Sequence, residues 1–178
     1  MLDTESRMPI DYSQPGYKEM FANYGLTAIA ALRLEKTLML LVAAIDNLGN
    51  GNLPKERLHE YLENSGSGKP IKTRTMGILI KEVNRRITIS SALEADLEKA
   101  NAWRNYVIHH FFMDEYDTLV LPSGPIALGN KLRPIRDLFV RLQSEVDGHL
   151  SKICDELRKP KTEICQEVRM LLKGKWAI

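Results

Sequence analysis

The chain has 178 residues, with 25 lysines and arginines against 23 aspartates and glutamates, and a formal net charge of +2. This length is sufficient for one domain that buries its core without disulfides or metals. The near balance of charges excludes a basic tail that would coat a nucleic-acid duplex, although a small local patch for RNA stays open.

The cysteines and the N-terminus indicate the compartment. Cys154 and Cys165 have no histidine or cysteine partner at metal-ligand spacing, which is typical of thiols in a reducing cytoplasm. The polar, acidic N-terminus does not resemble a signal peptide. The apolar run 37–45 is too short to cross a membrane. We therefore predict a cytoplasmic protein with no membrane association, no metal and no cofactor.

In the first half of the chain, the spacing of apolar residues predicts helices that are joined by glycine-rich connections. Residues 1–16 are expected to form a flexible arm and residues 17–178 a single helical domain. Helices are predicted over about 17–47, 54–63 and 74–88. The apolar positions that we assign to the first helix are Tyr17, Phe21, Tyr24, Ala28, Leu32, Leu38, Leu41, Val42 and Ile45.

The second half predicts two long helices around an irregular segment. Ser91 and Glu94 have capping-box spacing and predict a helix over about 92–115. Residues 118–130 hold two prolines and two glycines, so we predict an ordered loop, with room for a small hairpin, that borders the functional site.

A helix over about 133–158 follows, ended by Pro160, and a last helix is predicted over 161–173. The periodicity therefore predicts an all-α, up-and-down bundle of about five helices with antiparallel neighbours.

The helix predicted over 92–115 carries a polar stripe beside its core face. The core positions, separated by helical steps, are Leu93, Leu97, Ala100, Val107 and Phe111. Asn105 and His109 are four residues apart and share a different face, together with Asn101. A polar stripe of this kind typically faces water, a ligand or a second subunit.

The segment Arg104-Asn105-Tyr106-Val107-Ile108-His109 has the form Arg-Asn-x-x-x-His. It resembles the Arg-x(4–6)-His signature of HEPN domains (higher eukaryotes and prokaryotes nucleotide-binding). That family is all-helical and usually dimeric, and many members are metal-independent ribonucleases. The resemblance implies that Arg104 and His109 are catalytic and that the site is assembled in a homodimer. His110 also satisfies the spacing and is an accessory candidate.

One subgroup of the family is not matched. HEPN toxins paired with nucleotidyltransferase antitoxins continue the motif as His-x-Tyr, whereas Phe111 stands at the tyrosine position here. Regulation by nucleotidylation of that tyrosine is therefore not implied, and the identity of any antitoxin or regulatory partner stays open.

Arginine and histidine suit RNA cleavage by the 2′-hydroxyl. Histidine can move protons near neutral pH, and the planar, permanently charged guanidinium fits a phosphorane. Asn105 would orient the imidazole or contact the phosphate. On an ideal α-helix, however, Arg104 and His109 lie about 140° apart. We therefore expect a two-fold dimer to bring two copies of each into one cleft.

Two functions of different classes follow. The first is a metal-independent endoribonuclease, as a toxin or defence component. The second is a catalytically silent helical dimer that acts as an interaction or ligand-binding module, since the HEPN family contains such members. An enzyme needs Arg104 and His109 together and accessible to solvent, whereas a silent module tolerates them buried or apart.

Overall fold

The structure, a computed structural model, describes residues 12–13, 15–49, 74–156 and 166. Within these residues the chain is helical and has no β-strand. The predicted all-α class is therefore confirmed. The helix predicted over 54–63 lies outside the described residues, and so does the helix predicted over 161–173 apart from residue 166. Residues 1–11 and 14 of the predicted arm lie outside them as well.

The first helix, α1 (Pro15–Gly49), begins two residues before the predicted domain start. Residues 38–44 of this helix are enclosed on several sides, since every one of them is buried. In its first half, two apolar positions of the predicted pattern lie outside the core: the side chains of Phe21 and Leu32 are 39% and 45% exposed. The polar Asn23 and Thr27 are buried instead.

Hydrogen bonds within the helix explain this exchange. The Thr27 hydroxyl donates to the carbonyl oxygen of Asn23 at 2.7 Å, and the Asn23 amide donates to that of Glu19 at 3.0 Å. The Thr27 hydroxyl and the Asn23 amide are therefore both hydrogen-bonded to the preceding turn, which lets these short polar side chains be buried.

The helices α2 (Met76–Arg86) and α3 (Ser91–Asn105) are joined by a short connection. The N-cap of α3 is Ser90, not Ser91 as predicted, because extended Ser90 accepts the Leu93 N–H at 3.2 Å. Glu94 does not complete a capping box. Its carboxylate accepts from Asn84 of α2 at 2.6 Å and so ties the two helices together.

Beyond Asn105 the helix changes its winding. A π-helical segment, Tyr106–His110, leads into α4 (Phe111–Asp114), and α5 (Tyr116–Leu119) follows after Glu115. The last described long helix is α6 (Gly124–Glu156).

The loop predicted over 118–130 is therefore wrong. Residues 116–119 are helical, a tight turn spans 120–123, and α6 already begins at Gly124. The helix continues through Pro134, which costs about 3 kcal/mol inside a helix. Leu128 and Leu132, at 2% and 0% exposure, each contribute about 1.5–3 kcal/mol by burial. Two buried leucines thus offset one proline.

Contacts between the helices show their directions. Along α1, Gly16 and then Asn23 meet Ile126 and then Arg136 of α6, so these two helices run the same way. Against α3 the order is reversed. Gly77 and Asn84 of α2 meet Asn101 and Glu94, and Lys131 and Arg141 of α6 meet Tyr106, just after α3, and Asp96. The helices α1, α2 and α6 run one way and α3 runs the other. The core between them is apolar and includes Leu34, Leu38, Leu97, Leu132, Phe139 and Leu142. None of the described helices combines the length and the apolar character needed to cross a membrane.

Candidate functional site

The π-helical segment decides the geometry of the site. At its end the Phe111 N–H donates to the carbonyl oxygen of Tyr106, five residues back, instead of the four of an α-helix. A π turn therefore holds one more residue than an α turn. Such single-turn insertions are rare and occur frequently at functional sites.

The extra residue brings Arg104 and His109 together in one chain. Arg104 Nη1 lies 3.2 Å from His109 Nε2. The expectation that these side chains diverge by about 140° holds only for an unbroken α-helix and is wrong here. The wider π turn between them reduces that angle. A second subunit is therefore not needed to bring an arginine and a histidine into contact.

The contact also defines the form of the imidazole. A guanidinium only donates hydrogen bonds, so Nε2 of His109 must accept with its lone pair. As a hydrogen bond, this contact corresponds to the tautomer that carries its proton on Nδ1. The Nε2 lone pair is then engaged by the guanidinium, so Arg104 must move away from it before His109 can take a proton.

Glu35 of α1 holds the other side of Arg104. Its Oε2 lies 3.5 Å from Arg104 Nε, and the side chains of Glu35 and Arg104 are 14% and 18% exposed. Neither atom has a hydrogen bond, so the contact is an ion pair without hydrogen-bond alignment. The carboxylate fixes the guanidinium to α1 and leaves Nη1 turned toward the imidazole.

The other predicted site residues surround this pair. The Oδ1 of Asn105 accepts from Arg104 Nη1 at 3.3 Å, so Asn105 contacts the arginine rather than the imidazole. Asn105, His109 and His110 are all exposed. The ring of His110 lies 6.4 Å from that of His109, edge to face.

Asn101 only partly follows the predicted stripe. It is half-buried, and a Cβ on Gly77 of α2 would lie 3.1 Å from its Nδ2. Asn101 therefore fills the contact between α3 and α2, for which Gly77 leaves the space. The exposed polar surface consists of Asn105, His109 and His110.

Three side chains form a clamp around the π turn, and we call Tyr106, Glu115 and Lys131 the clamp. The Tyr106 hydroxyl and the Lys131 ammonium both donate to Oε1 of Glu115, each at 2.5 Å. Lys131 Nζ also lies 5.0 Å from the centre of the Tyr106 ring.

The ionisation of the clamp follows from these bonds. The donors Lys131 and Tyr106 hold the pKa of Glu115 below its ordinary value. Burial, and then the bond to Glu115, raises the pKa of Tyr106. The same carboxylate raises the pKa of Lys131. At neutral pH the clamp is therefore a carboxylate, an ammonium and a neutral phenol.

Apolar side chains border the polar surface. Phe112 and Met113, just after His110, are 37% and 81% exposed, and the Phe112 ring lies 5.9 Å from that of Phe21. On α1, Leu26, Ile29 and Leu32 are each about half exposed. Since each step of three turns by about 60° around the helix, Leu32 is the one that lies nearest the side of Glu35. Exposed apolar residues that adjoin one another in this way mark a contact surface.

A separate cleft of about 740 Å³ lies between α3 and α6. Its lining consists of Lys99, Trp103, Lys131, Pro134, Ile135, Asp137, Leu138 and Arg141. None of Arg104, Asn105 and His109 belongs to it, so the candidate site is an open surface and not this cleft.

Sequence reasoning missed Glu35 and the clamp. Glu35 had one signal, since it is a carboxylate set between the buried Leu34 and Thr37. A charge at such a position requires a partner from another element. The clamp had no signal, because Tyr106 and Lys131 are far apart along the chain and meet only after α6 packs on α3.

Comparison with family models, with curated proteins and with solved structures finds no significant match to this chain. The functional argument therefore depends on the residues and their geometry.

Proposed function

We propose that this chain is a metal-independent endoribonuclease of HEPN type, a cytoplasmic toxin or defence component whose site is composed at a homodimer interface. One observation carries the proposal, namely the 3.2 Å contact between Arg104 Nη1 and the exposed His109. Both groups reach the same point on the surface, which an enzyme requires. The Arg-Asn-x-x-x-His pattern of these residues supports the same activity.

The reaction is an attack of the 2′-hydroxyl of RNA on the adjacent phosphorus. As RNA binds, Arg104 Nη1 leaves His109 Nε2, which frees the Nε2 lone pair to take the proton of the 2′-hydroxyl, and the P–O5′ bond breaks as the new P–O2′ bond forms. Arg104 donates to the non-bridging oxygens, on which negative charge develops. The products are a 2′,3′-cyclic phosphate and a 5′-hydroxyl, whose proton is delivered by the protonated His109, by His110 or by water. Glu35 and Asn105 hold the guanidinium in place.

The dimer is supported by the apolar surface beside the site. Leu26, Ile29 and Leu32 of α1, together with Phe112 and Met113, expose a surface that a second copy would cover. Because Leu32 is one turn from Glu35, and Phe112 and Met113 follow His109 closely in the chain, a two-fold axis beside these three residues would bring two Arg104–His109 pairs to one cleft. An RNA strand would then meet donors from both subunits.

The alternative is a catalytically silent HEPN-like dimer that acts as an interaction module. It is favoured by the position of Glu35, whose carboxylate compensates the charge of Arg104 and so weakens attraction for phosphate. In that case the apolar surface would be the functional feature, and the Arg104–His109 contact would only stabilise the π turn.

The experiment is cleavage of varied single-stranded RNAs by the purified protein in excess EDTA, followed by analysis of the product ends. The proposal predicts cleavage above background with 2′,3′-cyclic phosphate and 5′-hydroxyl ends. Equal background with and without protein would favour the silent module. Cleavage that EDTA abolishes would contradict the metal-independent chemistry.

A further inference from the structure

We propose that Tyr106, Glu115 and Lys131 are positioning residues, which hold the chain in its π turn and thereby set the distance between Arg104 and His109. The effect on cleavage rests on the proposed function, whereas the effect on the backbone does not. The clamp residues contact neither Arg104 nor His109 directly. They act through the winding of the helix.

The clamp encloses the π turn from both ends. Tyr106 is its first residue, and Glu115 stands directly after α4, the short helix that follows the turn. The 2.5 Å bond from the Tyr106 hydroxyl to Glu115 therefore spans the whole segment. The turn cannot rewind without changing the distance between these two side chains.

The alternative winding is an ordinary α-helix. In that register the Phe111 N–H would donate to Val107 instead of Tyr106, and the residues after the turn would rotate by about 100° relative to those before it. The Tyr106 hydroxyl would then leave Glu115, and His109 would move away from Arg104. The Tyr106–Glu115 hydrogen bond and the Arg104–His109 contact thus both require the register in which the Phe111 N–H donates to Tyr106.

Lys131 fixes the clamp to the rest of the fold. It belongs to α6, and its ammonium bonds Glu115 while lying over the Tyr106 ring. The Tyr106 ring also packs edge to face on Trp103, at 5.5 Å between centres. The π turn is in this way packed against side chains of α3 and α6, so its hydrogen-bond register does not depend on local preference alone.

The charges of the clamp keep it closed at neutral pH. Glu115 accepts two donors, and both stabilise its ionised form. Lys131 keeps its proton because the same carboxylate accepts from it. A charged acceptor makes such bonds stronger than bonds between neutral groups.

The test compares Tyr106→Phe and Glu115→Ala with Asp114→Asn. Tyr106→Phe keeps the ring and its packing and removes only the hydroxyl. Asp114→Asn removes a carboxylate at an exposed position one residue from Glu115, and it is the matched control. Glu115→Gln is the conservative variant, which keeps an acceptor oxygen of similar reach.

Nuclear magnetic resonance of the full chain measures the hydrogen-bond register of the π turn directly. Coupling across the hydrogen bond identifies which carbonyl accepts the Phe111 N–H. We expect Tyr106 in the wild type and in Asp114→Asn, and Val107 in a large fraction of Tyr106→Phe and Glu115→Ala molecules. Glu115→Gln is expected to restore much of the wild-type coupling. Retention of the Tyr106 acceptor in both disrupting variants would overturn the proposal.

Cleavage kinetics form the second arm. Because a misplacement of about 1 Å can cost about 10²-fold in rate, we expect kcat to fall at least about tenfold in Tyr106→Phe with little change in KM. Asp114→Asn should cleave at the wild-type rate. A fall in kcat with an unchanged register would also overturn the proposal. If the wild type does not cleave RNA, the proposed function fails, and the coupling measurement still decides the clamp.

Discussion

Arg104 is held between two side chains of different character. Glu35 binds it from the partly buried side through an ion pair, and His109 meets it at the surface. The carboxylate of Glu35 is 14% exposed and depends on Arg104 for charge compensation. His109 is exposed and depends on nothing in the core. The two site residues should therefore contribute unequally to stability.

We predict that Arg104→Ala lowers the free energy of unfolding by about 1 kcal/mol, because it leaves the Glu35 carboxylate without its cation. His109→Ala should stay within about 0.5 kcal/mol of the wild type, as exposed substitutions usually do. Urea denaturation measures both. Adding Glu35→Gln to Arg104→Ala should recover most of the loss. An equal loss in both single variants would mean that His109 is a structural residue.

The sequence identifies Arg104 and His109 by residue type and spacing, and the structure places them together. The sequence does not indicate why the two residues meet, because their spacing on an α-helix would separate them. The clamp that we propose to hold the π turn includes Lys131 of α6, and Phe111 at the end of the turn is buried, so neither contact is a local property of the segment. Long-range contacts of this kind leave no periodic signal.

Among the helices, α6 shows how tertiary packing overrides local preference. Pro134 and the glycines of 118–130 favour a loop, whereas the described chain is helical from Gly124 onward. The first turns of α6 pack on α1, where a Cβ on Gly129 would lie 3.7 Å from the Cα of Met20. That this segment forms a helix was predictable from periodicity. The start of the helix at Gly124 was not, because it depends on the packing of its first turns against α1.

The same segment was expected to border the site, and its contacts lie elsewhere. The Tyr17 hydroxyl donates to the carbonyl oxygen of Leu119, and Gly16 packs on Ile126. These residues of α1 lie about five turns before Glu35. The segment supports the start of α1 and not the Arg104–His109 pair.

Two glycines in these helices should respond in opposite ways to a methyl group. Gly25 lies inside α1 with no heavy atom within 4 Å of an added Cβ, whereas a Cβ on Gly124 would lie 1.7 Å from the carbonyl oxygen of Thr118. We predict that Gly25→Ala stabilises the protein by about 0.5–1 kcal/mol. Gly124→Ala should destabilise it by at least about 1–3 kcal/mol, because the backbone must move.

Thermal melting of the two variants checks this prediction. A lower melting temperature for Gly25→Ala would show that this face of α1 is closely covered in solution. An unchanged one for Gly124→Ala would show that the turn between α5 and α6 differs from the structure.

For the molecule as a whole, the fold of one chain does not account for the large apolar side chains that α1 exposes. Phe21 and Leu32, two apolar positions of the predicted helical pattern, are exposed, and so are Leu26 and Ile29. A second copy of the chain would remove them from water. The exposure of these apolar residues and the proposed dimer thus rest on one observation.

We predict that the protein is a dimer at micromolar concentration, and light scattering measures this. Ile29→Lys combined with Leu32→Lys should give a monomer with unchanged helical circular dichroism, since both side chains are about half exposed. Val140→Lys, at a 54% exposed position of α6, is the control and should stay dimeric. A monomeric wild type would remove the composite site and leave the fold intact.

The central claim is that Arg104 and His109 act as one catalytic pair, and a double-mutant cycle of RNA cleavage in EDTA tests it most directly. His109→Ala should lower the rate by about 10²–10⁴ and Arg104→Ala by at least about 10². The combined variant should be little worse than the more damaged single variant, because groups that act as a unit are not additive. His110→Ala should be milder than His109→Ala. Cleavage at one common rate in all four proteins and the wild type would contradict the claim.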